Sequence, residues 1–133
     1  MNVEIFALCD AANDSHGKLN LLGAFDAVWA RTTPAVHAAC AVAVRMRFAG
    51  DEVGEHRAAI HLIDEDGQMA IPPVEGRVQV ALREGETTAV ANLILNIQGL
   101  KLAHFGEYSV NLIVDDEERA VLPLYVREAV HTH

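Results

Sequence analysis

The chain has 133 residues, the usual size of one domain, and its 51% hydrophobic content is enough for a core without staples. With aromatics at only 5%, that core must be filled by Val, Leu, Ile and Ala. The net charge of −9 leaves no excess of Lys and Arg to displace the counterions of a phosphate backbone or an anionic membrane, so neither nucleic acid nor membrane is an expected partner.

Period-two alternation, broken at short intervals by turn residues, dominates the chain. A first strand is predicted over about Val3 to Cys9, followed by a loop from Asp10 to Gly17. Lys18 to Ala30 alternates with Leu19, Leu21, Phe25, Ala27 and Trp29 on one face, and Gly23 predicts a bulge or bend there. Pro34 ends that strand. Val42, Val44, Met46 and Phe48 then mark an inward face, with Arg45 and Arg47 outward. Arg57 to Ile63 predicts another strand closed by the turn Asp64-Glu65-Asp66-Gly67.

Val78, Val80 and Leu82 alternate with Arg77, Gln79 and Arg83. Ala91, Leu93, Leu95 and Ile97 do so with Asn92, Ile94, Asn96 and Gln98, and Tyr108, Val110, Leu112 and Val114 with Ser109, Asn111 and Ile113. After Asp115-Asp116-Glu117-Glu118 a last strand runs from about Arg119 to Arg127, and Pro123 within it implies an edge or a bulge. No stretch of helical length holds a 3.6-residue apolar stripe.

Eight or nine short strands, each with one apolar face, call for an all-β, two-sheet antiparallel sandwich forming a single domain over 1–133. Gly106 placed two residues before Tyr108 resembles the tyrosine corner of immunoglobulin-like sandwiches, in which the hydroxyl bonds back to an upstream backbone group. Val110 stands where antibody domains place a cysteine, so the resemblance concerns architecture and brings no disulfide. The segments 3–11, 17–26, 91–100, 105–108 and 123–126 together resemble a bacterial family of small domains, about 130 residues long, of unknown function. That resemblance implies a compact β-sandwich in a bacterial cytoplasm. It carries over no activity, ligand or catalytic residue.

Chemistry-bearing residues are sparse. Met1 to Phe6 holds no positive segment and no apolar run reaches membrane-spanning length, so the expected compartment is the cytoplasm, where Cys9 and Cys40 would remain free thiols. His37 and Cys40, with Cys9, form half of a zinc-ligand pattern whose other pair is missing. His131 and His133 could hold metal only weakly. Cys9-Asp10 near His16 is a poor nucleophile, since an adjacent carboxylate raises a thiol pKa. No Gly-x-Ser-x-Gly elbow or Gly-rich phosphate loop occurs. We therefore expect no catalytic residues, no metal site and no cofactor.

One feature breaks a local rule. Asn is a poor strand residue, yet Asn92, Asn96 and Asn111 fall mid-strand on outward faces beside Gln98, Ile94 and Ile113. If the two strands pair in chain order, these six form an uncharged patch suited to a contact surface. The leading expectation is a non-catalytic interaction module that binds itself, as a homodimer, or another bacterial protein. The alternative is a small-ligand or divalent-cation site built from the loops at 10–17 and 32–37 and the two acidic turns.

Overall fold

The computed structural model describes residues 1–130. Nine strands make up the described residues: β1 (Asn2–Ser15), β2 (Lys18–Ala24), β3 (Ala27–Ala30), β4 (Ala35–Ala49), β5 (Gly54–Ile63), β6 (Val74–Val80), β7 (Thr88–Leu102), β8 (Gly106–Val114) and β9 (Glu117–Glu128). A single 3-10 turn, Gly50–Glu52, precedes β5. The strands form a four-stranded sheet, ordered β2-β1-β4-β7, and a five-stranded sheet, ordered β3-β9-β8-β5-β6. Every pairing is antiparallel except β3 with β9, which is parallel.

Alternation sets what lies between the sheets. Val42, Val44, Met46 and Phe48 of β4 are fully buried, and Ile60, Leu112 and Leu124 meet them from the other sheet. Burying each of these larger aliphatic side chains contributes about 2 kcal/mol. The hydroxyl of Tyr108 accepts the His104 amide at 3.1 Å and reaches the His104 carbonyl at 3.3 Å, the upstream closure expected of a tyrosine corner.

Three local expectations are corrected. The segment 10–17 is not a loop. It continues β1 and folds back as β2 through His16 and Gly17, both at positive φ (54° and 79°), the conformation that closes a two-residue hairpin. Lys18 to Ala30 is two strands in different sheets. Gly23 has φ +69°, and a side chain there would collide with the Asp10 carboxylate, so the chain bends at this point and crosses to the second sheet. Finally, β7 and β8 are not neighbours: the chain changes sheet between them, so their apolar faces meet across the core instead of lying side by side.

Pro123 lies within β9, which has β8 on one side. The Tyr125 amide, two residues on and pointing the same way, donates to Asp26 at the start of the β3 pairing. β3 pairs with β9 only over Tyr125 to Glu128, so the donor that Pro123 lacks falls where β9 has no neighbour.

Candidate functional surfaces

The predicted patch is divided by the topology. Asn92, Ile94, Asn96 and Gln98 lie on the outer face of the four-stranded sheet, while Asn111 and Ile113 lie on β8 of the five-stranded sheet. The single surface of six residues does not exist, because strands consecutive in the chain need not share a sheet.

The outer face of the four-stranded sheet is largely covered. β4 presents Ala41 and Ala43 outward, opposite Cys9 and Ala7 of β1 and Asn96 and Ile94 of β7. Ala41 and Ala43 are nevertheless buried, because the distal half of the β1–β2 hairpin lies over them and packs Ala12 and Leu19 against Ala41, Ala43, Cys9 and Ile94. Asn92 fastens that cover. Its Nδ2 donates to Asp14 Oδ2 at 3.2 Å and to the Gly17 carbonyl at 3.1 Å, and its Oδ1 accepts from Arg45 Nη1 at 3.2 Å. An asparagine in mid-strand is thus explained by a tether two strands wide. Asn96 and Gln98 remain exposed beyond the hairpin. The signal available in the sequence was the run of small residues Ala39, Ala41 and Ala43 on an outward row, which leaves room for another backbone.

The outer face of the five-stranded sheet has no such cover. Adjacent rows run Pro123–Ser109–Ile63, then Val121–Asn111–His61, then Glu118–Ile113–Ala59, so that among these residues the one carboxylate is that of Glu118, beside Ile113. Charged residues surround this belt: Arg57, Arg77 and Glu75 on one side, Glu107 and Arg127 on another. Val121 is 51% exposed and Trp29, at the β3 edge, 64%. The Arg127 guanidinium lies 4.7 Å from the Tyr125 ring centroid and 5.8 Å from that of Trp29, joining the aromatics at that corner. In the middle, Asn111 donates to Glu118 Oε1 at 2.6 Å, while its own Oδ1 is buried with no hydrogen-bond partner among the described residues. Ile113 lies in a concavity of about 220 Å³ together with Arg57, Ala59 and Glu75.

The remaining candidates are held in structural roles. Cys40 faces the core, opposite Ile97, whereas Cys9 faces outward beneath the hairpin and is hydrogen-bonded to the Ala41 carbonyl at 3.5 Å. Both are free and buried. Burial, then the neighbouring Cys9 and Asp10, pushes the Cys40 thiol up to about 11; burial and then Asp10 raise that of Cys9. Neither is a thiolate nucleophile at neutral pH. His37 packs against the Phe25 ring, centroids 5.2 Å apart, so the three residues of the partial zinc pattern serve separate environments. No group of three or more His, Cys, Asp or Glu side chains that could hold a metal ion occurs among the described residues. His131 and His133 lie outside them.

The two acidic turns occupy opposite ends of the five-stranded sheet, and most of their carboxylates are already engaged. Asp64 Oδ1 accepts the amides of Asp66 and Gln68, and Glu65 accepts that of Glu107. At the other end Asp115 and Asp116, at φ 49° and 68°, close the β8–β9 hairpin. Asp115 bonds His56 Nδ1 and the Arg57 amide, and His56 Nε2 reaches the Glu52 carbonyl at 2.6 Å. The hydrogen bond to Asp115, followed by that to Glu52, raises the His56 pKa above its ordinary value.

No helix of the described residues is long and apolar enough to cross a membrane. The chain is similar to a solved β-glucosidase from Listeria innocua in complex with isofagomine, at 16% identity and a TM-score of 0.48. The likeness covers 94% of this chain and only 16% of that enzyme, and it carries no argument about activity. No curated protein matches. A family described only as a family of unknown function, DUF6941, matches residues 4–127, nearly the whole sandwich, and the chain belongs to it.

Proposed function

We propose that the protein is a non-catalytic interaction domain of immunoglobulin-like architecture, working in a bacterial cytoplasm and pairing with a second copy of itself through the outer face of the five-stranded sheet. The observation that carries this reading is the belt of Pro123, Ser109, Ile63, Val121 and His61, which holds one carboxylate, Glu118 beside Ile113 and Asn111, and is bordered by charges of both signs. A face whose centre holds one carboxylate, already hydrogen-bonded by Asn111, brings little like charge together in two copies of net charge −9, and a two-fold arrangement can oppose Arg57 and Arg77 to Glu107 and Glu75 at the rim. Tyr108 supports the immunoglobulin-like comparison, and two unpaired buried thiols fit a reducing compartment.

The test is sedimentation velocity on wild type and Val121→Lys, an exposed substitution that leaves the core intact. Wild type should form a concentration-dependent dimer, and the variant should stay monomeric with an unchanged melting temperature. A wild type that is monomeric up to about 100 μM, where a contact worth about 8 kcal/mol would be saturated, defeats the proposal. A second reading, small-ligand binding, is favoured by one particular concavity on the other sheet.

A further inference from the structure

Beyond the alanine stretch, the outward row of β4 changes character at Arg45 and Arg47, and these two guanidinium groups are fixed from one side. Glu4 accepts from Arg45 Nε at 3.1 Å and from Arg47 Nε and Nη2 at 2.7 and 3.3 Å. From the other side, Arg45 Nη1 donates to Asn92 at 3.2 Å and Arg47 Nη1 to Thr88 Oγ1 at 3.0 Å. One carboxylate therefore orients two cations and neutralises only one of them. Several of their N–H donors have no protein acceptor, since each guanidinium carries five.

Both side chains line a concavity of about 560 Å³, within the range of small-molecule sites. Its far wall is the connection between β6 and β7, which contributes Arg83, a third guanidinium with no side-chain partner among the described residues. The hairpin turn, His16 and Gly17, overhangs it. Three of the chain's ten basic residues thus converge on one hollow, against two acidic ones in its lining. The two carboxylates are Asp14, which accepts the Gly17 amide at 2.9 Å and Asn92 at 3.2 Å, and Glu86 on the β6–β7 connection.

We propose that this hollow binds a small multivalent anion, carrying carboxylate or phosphate oxygens, between Arg45 and Arg47 on one wall and Arg83 on the other. Planar guanidinium forks suit paired oxyanion groups better than a single inorganic charge. The hairpin anchored by Asn92 supplies the roof. His16 and Gly17 of its turn line the same space as the arginines.

The experiment is calorimetric titration of the full chain with citrate and, separately, pyrophosphate, each against sodium chloride at matched ionic strength. Saturable binding of one of them is expected, and the better of the two identifies the carboxylate or phosphate class. Arg83→Gln should weaken that binding at least tenfold, whereas Arg119→Gln, on the opposite sheet, should leave it unchanged. Amide chemical shifts of wild type give an independent reading: movement at His16, Gly17 and Thr88 places the anion in the hollow. The proposal falls if neither anion binds beyond the salt control, if both variants weaken binding equally, or if the shifted amides lie elsewhere. Loss of dimerisation by Val121→Lys bears only on the five-stranded sheet and leaves this result standing.

Discussion

Both sheets turn one row of side chains outward, yet their outer faces came to different ends. On the four-stranded sheet the central outward residues are Ala41 and Ala43, and the chain's own hairpin closes over them with Ala12 and Leu19. On the five-stranded sheet the central outward residues are Asn111, Ile113 and Val121; among the described residues no hairpin lies over them, and only the Glu118 side chain reaches across to the buried Asn111. Small outward residues make room for a backbone to lie on the sheet; medium-sized uncharged ones make a surface that can meet another molecule. Residue size, as much as polarity, decides whether an outward row is internal or available.

The sharpest way to break this comparison is to place the same charge on both faces. Ala43→Glu should cost about 3 kcal/mol in urea unfolding, because the side chain must either lift the hairpin or lie uncompensated beneath it. Ser109→Glu, on the open face, should change stability by less than about 0.5 kcal/mol. Equal effects would mean that the hairpin is no cover at all. A smaller effect is expected at the tether. Asn92→Ala removes the bonds to Asp14, Gly17 and Arg45 and should cost about 1–2 kcal/mol, with faster hydrogen exchange confined to amides of the β1–β2 hairpin.

The smallest effect belongs to the far end of the open sheet. His56 can donate to both Asp115 and Glu52 only as an imidazolium, and its folded pKa is raised above 6.5. Its contribution is therefore complete below about pH 6.5 and fades as the pH rises through the folded value. The unfolding free energy from urea titration should fall between about pH 6 and 8 by no more than about 1 kcal/mol, given that Asp115 is half exposed. In His56→Gln that slope should flatten; an unchanged slope would assign the pH dependence to another group.

Much of the fold was legible because alternation reports faces directly. Val42 to Phe48, Leu93 to Ile97 and Tyr108 to Val114 all point where their period places them. The β1–β2 hairpin was not legible, because Asp10, Asn13, Asp14 and Ser15 are turn-forming types and only tertiary packing makes them a strand. Sheet membership was equally hidden. Period two tells which way a side chain points within a sheet and never which sheet it belongs to, so Asn92 and Asn111 looked like neighbours. The arginine hollow needs three elements brought together, β4, the β6–β7 connection and the hairpin turn, and no spacing along the chain foretells that.

Pro123 adds a constraint on how the open sheet could be approached. Along the stretch of β9 that β3 leaves bare, the backbone lacks the amide with which an incoming strand would begin a ladder. Recruitment by zippering onto that margin is thereby disfavoured. A visitor there has to lie flat against the side-chain mosaic, where selectivity comes from shape and polarity instead of from main-chain pairing that any extended peptide could imitate.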